Sequence, residues 1–242
     1  MTSLSVNINK VALIRNSRLG NFPDVIQVAL DCLEFGADGI TVHPRPDERH
    51  IRYKDIPLLR KAVPSEFNIE GNPSENFMNL VANNVPDQCT LVPDSPDVLT
   101  SDAGWDTVKH QVYLTGIIAR LHEKDIRVSI FIDPDPEMVE GAKRINADRV
   151  ELYTGDYAKH YERDPEAAIK DHIAAAKKAK DVGIGLNAGH DLNLNNLRFY
   201  IQQIPDLLEV SIGHALISDA LYFGLENVIQ MYQHLLKDPS AQ

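Results

Sequence analysis

Short runs rich in β-branched and apolar residues alternate along the chain with longer stretches whose apolar positions recur every three to four residues. The short runs predict strands over residues 4–9, 39–43, 67–70, 89–92, 128–133, 149–153, 183–187 and 208–212. The longer stretches predict helices over 24–35, 56–62, 74–83, 112–124, 136–145, 165–181, 194–203 and 218–236. The punctuation agrees. Pro23, Pro73, Pro136 and Pro165 stand where a first-turn proline is tolerated, and Gly36 follows a helix as a stop.

A strand followed by a helix, repeated eight times in 242 residues, implies parallel pairing with crossover helices. The expected fold is a single-domain α/β structure, a (β/α)8 TIM barrel with extra short helices. A doubly wound open sheet is the alternative. It would show a glycine fingerprint after its first strand, and no G-x-G-x-x-G follows Asn9. The stretch from 93 to 109 is long and rich in Asp, Ser and Pro, which suits a functional loop.

Composition narrows the partners. Lys and Arg number 24 against 35 Asp and Glu, a net charge of −11. Nucleic acid and anionic membranes would repel such a chain, whereas a small anionic substrate can still be held by a local basic cluster. The two cysteines, Cys32 and Cys89, lie in apolar stretches and suit inert core thiols in a reducing compartment. No apolar run reaches the ~18 residues of a membrane span. The first residues lack the basic-then-apolar order of a signal peptide, so the cytoplasm is the expected location.

In a barrel of this kind the chemistry sits at the C-terminal ends of the strands. Those ends carry Asn7 and Asn9, His43, Glu70, Asp133, Glu151, Asn187 with His190, and Gly213 with His214. Alternation along a strand places Asn7 with Asn9, Thr41 with His43, and Asn68 with Glu70 on shared faces. Any one such residue is ordinary; their convergence on one mouth is what points to a site. Basic residues follow the first two strands: Arg15 and Arg18, then Arg45, Arg49, His50 and Arg52. Arg49 and Arg52 read as surface charges paired with Asp47, Glu48 and Asp55. Arg18 and Arg45 are the better anion candidates, because a guanidinium fork matches phosphate. Gly213 would let backbone amides approach a second anion after the eighth strand, or simply make a tight turn.

Several stretches together resemble the pyridoxine 5′-phosphate synthase family of the deoxyxylulose-dependent vitamin B6 pathway. They are Val6-Asn-Ile, Leu13-Ile-Arg-Asn-Ser-Arg18, Gly36-Ala-Asp-Gly-Ile-Thr-Val-His-Pro-Arg45, Arg49-His-Ile, Asn68-Ile-Glu70, Leu91-Val-Pro93, Val128-Ser-Ile-Phe-Ile-Asp133, Asn187-Ala-Gly-His190 and Ile212-Gly-His-Ala215. They run the length of the chain. The resemblance implies a (β/α)8 barrel assembled as a homo-octamer built from dimers, working without metal or organic cofactor. It implies condensation of 1-deoxy-D-xylulose 5-phosphate with 3-amino-2-oxopropyl phosphate to pyridoxine 5′-phosphate, phosphate and water. By the same resemblance His43 and Glu70 match proton acceptors, His190 a proton donor and Glu151 a transition-state carboxylate. Asn7, Arg18, Gly213 and His214 match contacts to the aminoketone phosphate, and Arg45, His50 and Thr100 contacts to the sugar phosphate.

The chain departs from the common family pattern twice. Asn9-Lys10 stands where many members have Asp-His, at a position that meets the sugar phosphate. Asp191 stands where many have Gly, and a backbone contact is expected of it, since a carboxylate disfavours a neighbouring phosphate. Glu70 is expected ionised, with Asn68 as a donor beside it, and His190 protonated on the opposite side of the mouth. Without the resemblance, the pattern of residues points to a phosphate-handling barrel enzyme. It leaves open a metal-dependent sugar-phosphate epimerase or isomerase using His43, Glu70, Asp133, Glu151 and His190, and a non-catalytic phosphometabolite-binding protein.

Overall fold

The structure, a computed structural model, describes residues 1–94 and 103–237. Eight parallel strands close into a barrel in chain order: β1 Ser3–Asn7, β2 Gly39–Val42, β3 Glu66–Gly71, β4 Gln88–Leu91, β5 Arg127–Ile132, β6 Arg149–Tyr153, β7 Gly185–Gly189 and β8 Leu207–Ile212. β1 pairs with β8 through Ser3–Glu209, Leu4–Val210, Ser5–Ser211 and Val6–Ile212. The helices are α1 Asn9–Asn16, α2 Val25–Glu34, α3 Asp55–Ala62, α4 Glu75–Asn84, α5 Gln111–His122, α6 Pro136–Arg144, α7 Gly155–Tyr161, α8 Pro165–Val182, α9 Leu197–Gln203, α10 His214–Phe223 and α11 Leu225–Lys237. The expected (β/α)8 barrel is the fold of the protein.

Local signals account for the helix starts. Asp24, Ser74, Asp135 and Asp164 each cap a helix by accepting a backbone N–H, satisfying a donor that the first turn leaves open. Pro136 and Pro165 occupy first-turn positions as expected. Pro23 and Pro73 instead precede the caps, one residue outside.

Three expectations are corrected. β1 stops at Asn7, because Asn9 already opens α1. The helix read over 218–236 is two helices, broken at Gly224 with φ of 80°. The strand expected over 183–187 begins later, as β7 Gly185–Gly189, because Gly183 caps the end of α8 at φ 64°.

Along each strand, alternate residues divide cleanly. Leu4, Val6, Ile40, Val42, Phe67, Ile69, Val128, Ile130, Val150, Leu152, Val210 and Ile212 are buried in the apolar shell between sheet and helices. Their neighbours Ser5, Thr41, Asn68, Thr90, Glu151, Asn187 and Glu209 are buried too, yet polar. Hydrogen bonds between non-adjacent strands show where these point. Gln88 Nε2 donates to Glu209 Oε1 at 3.4 Å, from β4 to β8 on the far side of the ring. Thr90 Oγ1 reaches Glu151 Oε2 at 3.4 Å, from β4 to β6. Such bonds cross the lumen, so the interior is filled with hydrogen-bonded polar groups where most barrels of this class hold branched apolar ones. Both cysteines are free and buried in the apolar shell, with burial the main cause of raised thiol pKa values. No helix among the described residues is long and apolar enough to cross a membrane.

Candidate active site

The polar lumen rises to the C-terminal rim. Ser5 and Thr41 hydroxyls are 2.7 Å apart, Asn68 Nδ2 donates to Thr41 Oγ1 at 3.4 Å, and Thr90 Oγ1 donates to Asn68 Oδ1 at 3.1 Å. Asn68 is therefore spent within this girdle and is not the expected donor to Glu70. That donor is Asn7, whose Nδ2 lies 3.4 Å from Glu70 Oε2. Above the girdle sit His43, Arg45, Glu70 and Glu151, all buried. β3 and β7 stand four strands apart in the eight-stranded ring, so Glu70 and His190 lie on opposite sides of the mouth, as expected.

Electrostatics differ from the expectation for Glu70. Burial raises its carboxyl pKa well above the usual range, and the carboxylates of Glu151, Glu209 and Asp94 push it further. Glu151 is raised to about 8 by burial and by Glu209, partly opposed by the Thr90 hydroxyl. The resting site therefore holds carboxylic acids rather than a full set of carboxylates. The histidines move the other way. Burial, then Arg45, His50 and Arg49, hold His43 well below the ordinary imidazole value. Burial with Arg45, Lys10 and Arg49 holds His50 at about 4. Both rings are neutral at pH 7. The His50 Nδ1 accepts the Ile51 N–H at 3.0 Å, which leaves Nε2 as its protonated, donating nitrogen.

Asn9 does not share a face with Asn7. Asn7 Oδ1 accepts the Asn9 N–H at 3.0 Å, and Asn9 Oδ1 accepts the His43 N–H at 3.0 Å. It is a bracket between the ends of β1 and β2. Lys10 lies near enough to lower the pKa values of both His50 and Asp191. Arg45 is buried against Asp94, a partner that no local signal announces. Arg49 pairs with Asp47 as expected. Asp55 does not join that surface run: it pairs with Arg15 at 2.8 Å, and Arg15 is buried and also donates to the His50 carbonyl. Asn16 Nδ2 donates to the same carbonyl at 2.7 Å, so the end of α1 clasps the loop that carries His50.

Arg18 stands apart, exposed on the loop after α1, with no side-chain hydrogen bond or ion pair among the described residues. Thr100 lies outside the described residues, as do the other residues of 95–102 in the expected functional loop. Asp133 Oδ1 accepts the Gly104 N–H at 3.1 Å, where that loop returns. Gly213 precedes α10, where no side chain caps the helix start. A Cβ there would sit 3.0 Å from the Asn7 Cβ, so glycine is what lets β8 close against β1. Gly189 is as constrained: a Cβ would lie against the Glu151 carboxylate. The Asp191 side chain meets its neighbour, with Oδ2 2.9 Å from His190 Nδ1. Among the described residues no three His, Cys, Asp or Glu side chains are grouped so as to hold a metal ion.

The family model for "Pyridoxal phosphate biosynthesis protein PdxJ" matches residues 4–238. The chain belongs to the PdxJ family. Among its relatives, the pyridoxine 5′-phosphate synthase of Cytophaga hutchinsonii is 61% identical over 237 residues, covering 98% of this chain and all of that protein. Those of Bacteroides fragilis and Flavobacterium johnsoniae are 58% and 56% identical over the same length, with the same coverage. Solved structures share the fold at low identity. Orotidine 5′-monophosphate decarboxylase from Methanocaldococcus jannaschii has a TM-score of 0.64 at 10% identity, covering 98% of this chain and 99% of that one. Phosphoribosyl anthranilate isomerase from Thermotoga maritima has 0.61 at 16%, with the same coverage.

Proposed function

We propose that this PdxJ-family chain is a pyridoxine 5′-phosphate synthase. It condenses 1-deoxy-D-xylulose 5-phosphate with 3-amino-2-oxopropyl phosphate and releases phosphate and water. The observation that carries the reading is the gathering of His43, Glu70, Glu151 and His190 at one mouth, between two places suited to phosphate. One is the group of Arg45, His50 and Lys10. The other is the uncapped start of α10 at Gly213 and His214, where amide N–H groups and the helix dipole favour an anion. Asn7 stands beside the second, and Arg18 is assigned to the aminoketone phosphate by the family resemblance, as Thr100 is to the sugar phosphate.

The protonation states suit the chemistry. The aminoketone brings an ammonium group, the cation that the buried Glu70 and Glu151 lack. Its arrival lowers their pKa values, so that one carboxyl gives its proton to solvent, and the carboxylate so formed takes the ammonium proton and frees the amine to attack the sugar ketone. His43, neutral at rest, accepts protons from carbon or nitrogen as the ring closes. His190 donates from the opposite side to a departing hydroxyl. Glu151 balances charge that develops between them. No metal or organic cofactor enters these steps, and exhaustive chelation is expected to leave turnover unchanged.

The exposed apolar residues Leu19, Phe22, Leu221 and Tyr222 support assembly with further copies, for which we propose the homo-octamer built from dimers. The cytoplasm, where both phosphorylated substrates would be at hand, is the proposed location. A two-substrate assay with the product identified by mass tests the function. Glu70→Gln and His190→Asn are each expected to lower turnover by ~10²–10⁴-fold with the fold retained. No product from the parent enzyme, or near-parent turnover in Glu70→Gln, would overturn the scheme.

A further inference from the structure

After β7 the backbone turns on two consecutive residues in the left-handed region, His190 at φ 80° and Asp191 at φ 55°. An extended strand sends neighbouring side chains to opposite faces. Two left-handed residues in succession cancel that alternation, and the two side chains meet, Nδ1 to Oδ2, at 2.9 Å. Such a conformation costs energy in most residues, least in glycine, asparagine and aspartate, and two in succession persist only where the surroundings hold them. Here they do. The single Thr154 hydroxyl proton lies between the Gly189 carbonyl, at 2.8 Å, and the His190 carbonyl. The Asp191 carbonyl accepts from Asn196 Nδ2 at 3.3 Å and Asn193 Nδ2 at 3.4 Å. Asn196 is buried, and its Oδ1 takes the Asn193 N–H at 2.8 Å. The His190 ring rests edge-on against Tyr153, with centroids 5.3 Å apart.

We propose that Asp191 is a positioning residue: it accepts the Nδ1 proton of His190 and so fixes Nε2 as the nitrogen that exchanges a proton with substrate. The inference rests on the reading of His190 as the proton donor. A neutral imidazole carries one N–H, and the partner of one nitrogen decides which nitrogen that is. A carboxylate can only accept, so the proton stays on Nδ1. When Nε2 gives up its proton, the neutral ring that remains is already the tautomer that Asp191 binds. No ring flip separates one turnover from the next. Asp191 remains ionised throughout, because its bond to His190 and the neighbouring charges of His190, His214 and Lys10 hold its carboxyl below the usual range.

The test uses the full-length enzyme with ring-15N histidine and solid-state NMR, the His190 signals being assigned by their loss in His190→Gln. Glycine and asparagine both accept a left-handed backbone, so Asp191→Gly and Asp191→Asn are expected to fold, and thermal melts check this. In the parent the neutral His190 ring is expected to be protonated at Nδ1. In Asp191→Gly it becomes a mixture with the Nε2-protonated form, and kcat falls on the order of 10-fold while both KM values stay within about two-fold. Asp191→Asn, which can accept or donate, falls between. An unchanged tautomer in Asp191→Gly, or an unchanged kcat, overturns the proposal. If the parent turns over neither substrate, the functional reading fails on that result alone, while the NMR comparison still decides whether Asp191 sets the tautomer.

Discussion

Arg45 and Asp94 face each other at 2.6 Å with side chains only 5% and 4% exposed, so the guanidinium that suits a substrate phosphate is already held by a protein carboxylate. A buried pair of this kind adds little net stability, since both ions are desolvated, yet it costs much to break, because removing one partner strands the other's charge away from water. Arg45→Ala is expected to lose about 3–5 kcal/mol of folding stability and to weaken sugar-phosphate binding. The double variant Arg45→Met/Asp94→Leu should regain most of the stability and none of the binding. Denaturant melts and calorimetric titration with the sugar phosphate separate the two effects. A single variant as stable as the parent would show that the pair carries no strain on removal.

Asn9 tests the bracket between the first two strands. Its Oδ1 is the acceptor for the His43 N–H, at the residue that must stay aligned for proton transfer. Asn9→Ala leaves that donor unpaired and is expected to cost about 1–3 kcal/mol, with turnover reduced. Asn9→Asp keeps an acceptor oxygen in place and should retain more of both. Equal melting temperatures for Asn9→Ala and the parent would assign the N–H another partner.

The buried acids make stability depend on pH with a definite sign. Glu151 titrates near 8 in the folded protein and near 4.5 when unfolded, and Glu70 is raised likewise. The folded state therefore binds more protons than the unfolded one between those values, and stability falls as pH rises through that window. His50, lowered from 6.5 to about 4, and His43, lowered well below 6.5, act in the opposite sense. Their contribution is lost as pH falls below 6.5. The histidine contribution is complete within about one pH unit above 6.5, and beyond that the carboxyls dominate. From pH 6.5 to about 8 the Glu151 share of the loss is about 2 kcal/mol, at 1.36 kcal/mol for each pKa unit. Scanning calorimetry should show the melting temperature falling over this range, and falling less in Glu151→Gln. A parallel decline in parent and variant would remove Glu151 as its source.

The strand–helix rhythm was legible in the sequence because each strand buries one face against helices, which leaves an apolar run to read. The rim residues followed from it: once the strands are placed, His43, Glu70, Glu151 and His190 fall at one end. Other features left no local trace. α1 and α7 are short and carry no sustained apolar stripe, so their periods were too brief to register. Gly224 interrupts a pattern that α10 and α11 otherwise continue. Arg15 with Asp55, and Arg45 with Asp94, are joined only when different strands bring their loops together. Glu70 misled for a related reason. A carboxyl is an anion by default, and only its burial beside Glu151 and Glu209 makes it an acid.

The pairing of β1 with β8 has a consequence for synthesis. The barrel's last ladder needs residues 207–212, so Asn7 cannot take its place beside Gly213 until most of the chain has left the ribosome. Until then the first strand waits with one unpaired edge, and the polar lumen stands open to water. Contacts spanning nearly the whole sequence form slowly, and exposed edges in the interval invite association with other chains. The growing polypeptide thus carries an open edge that its finished, edgeless form conceals.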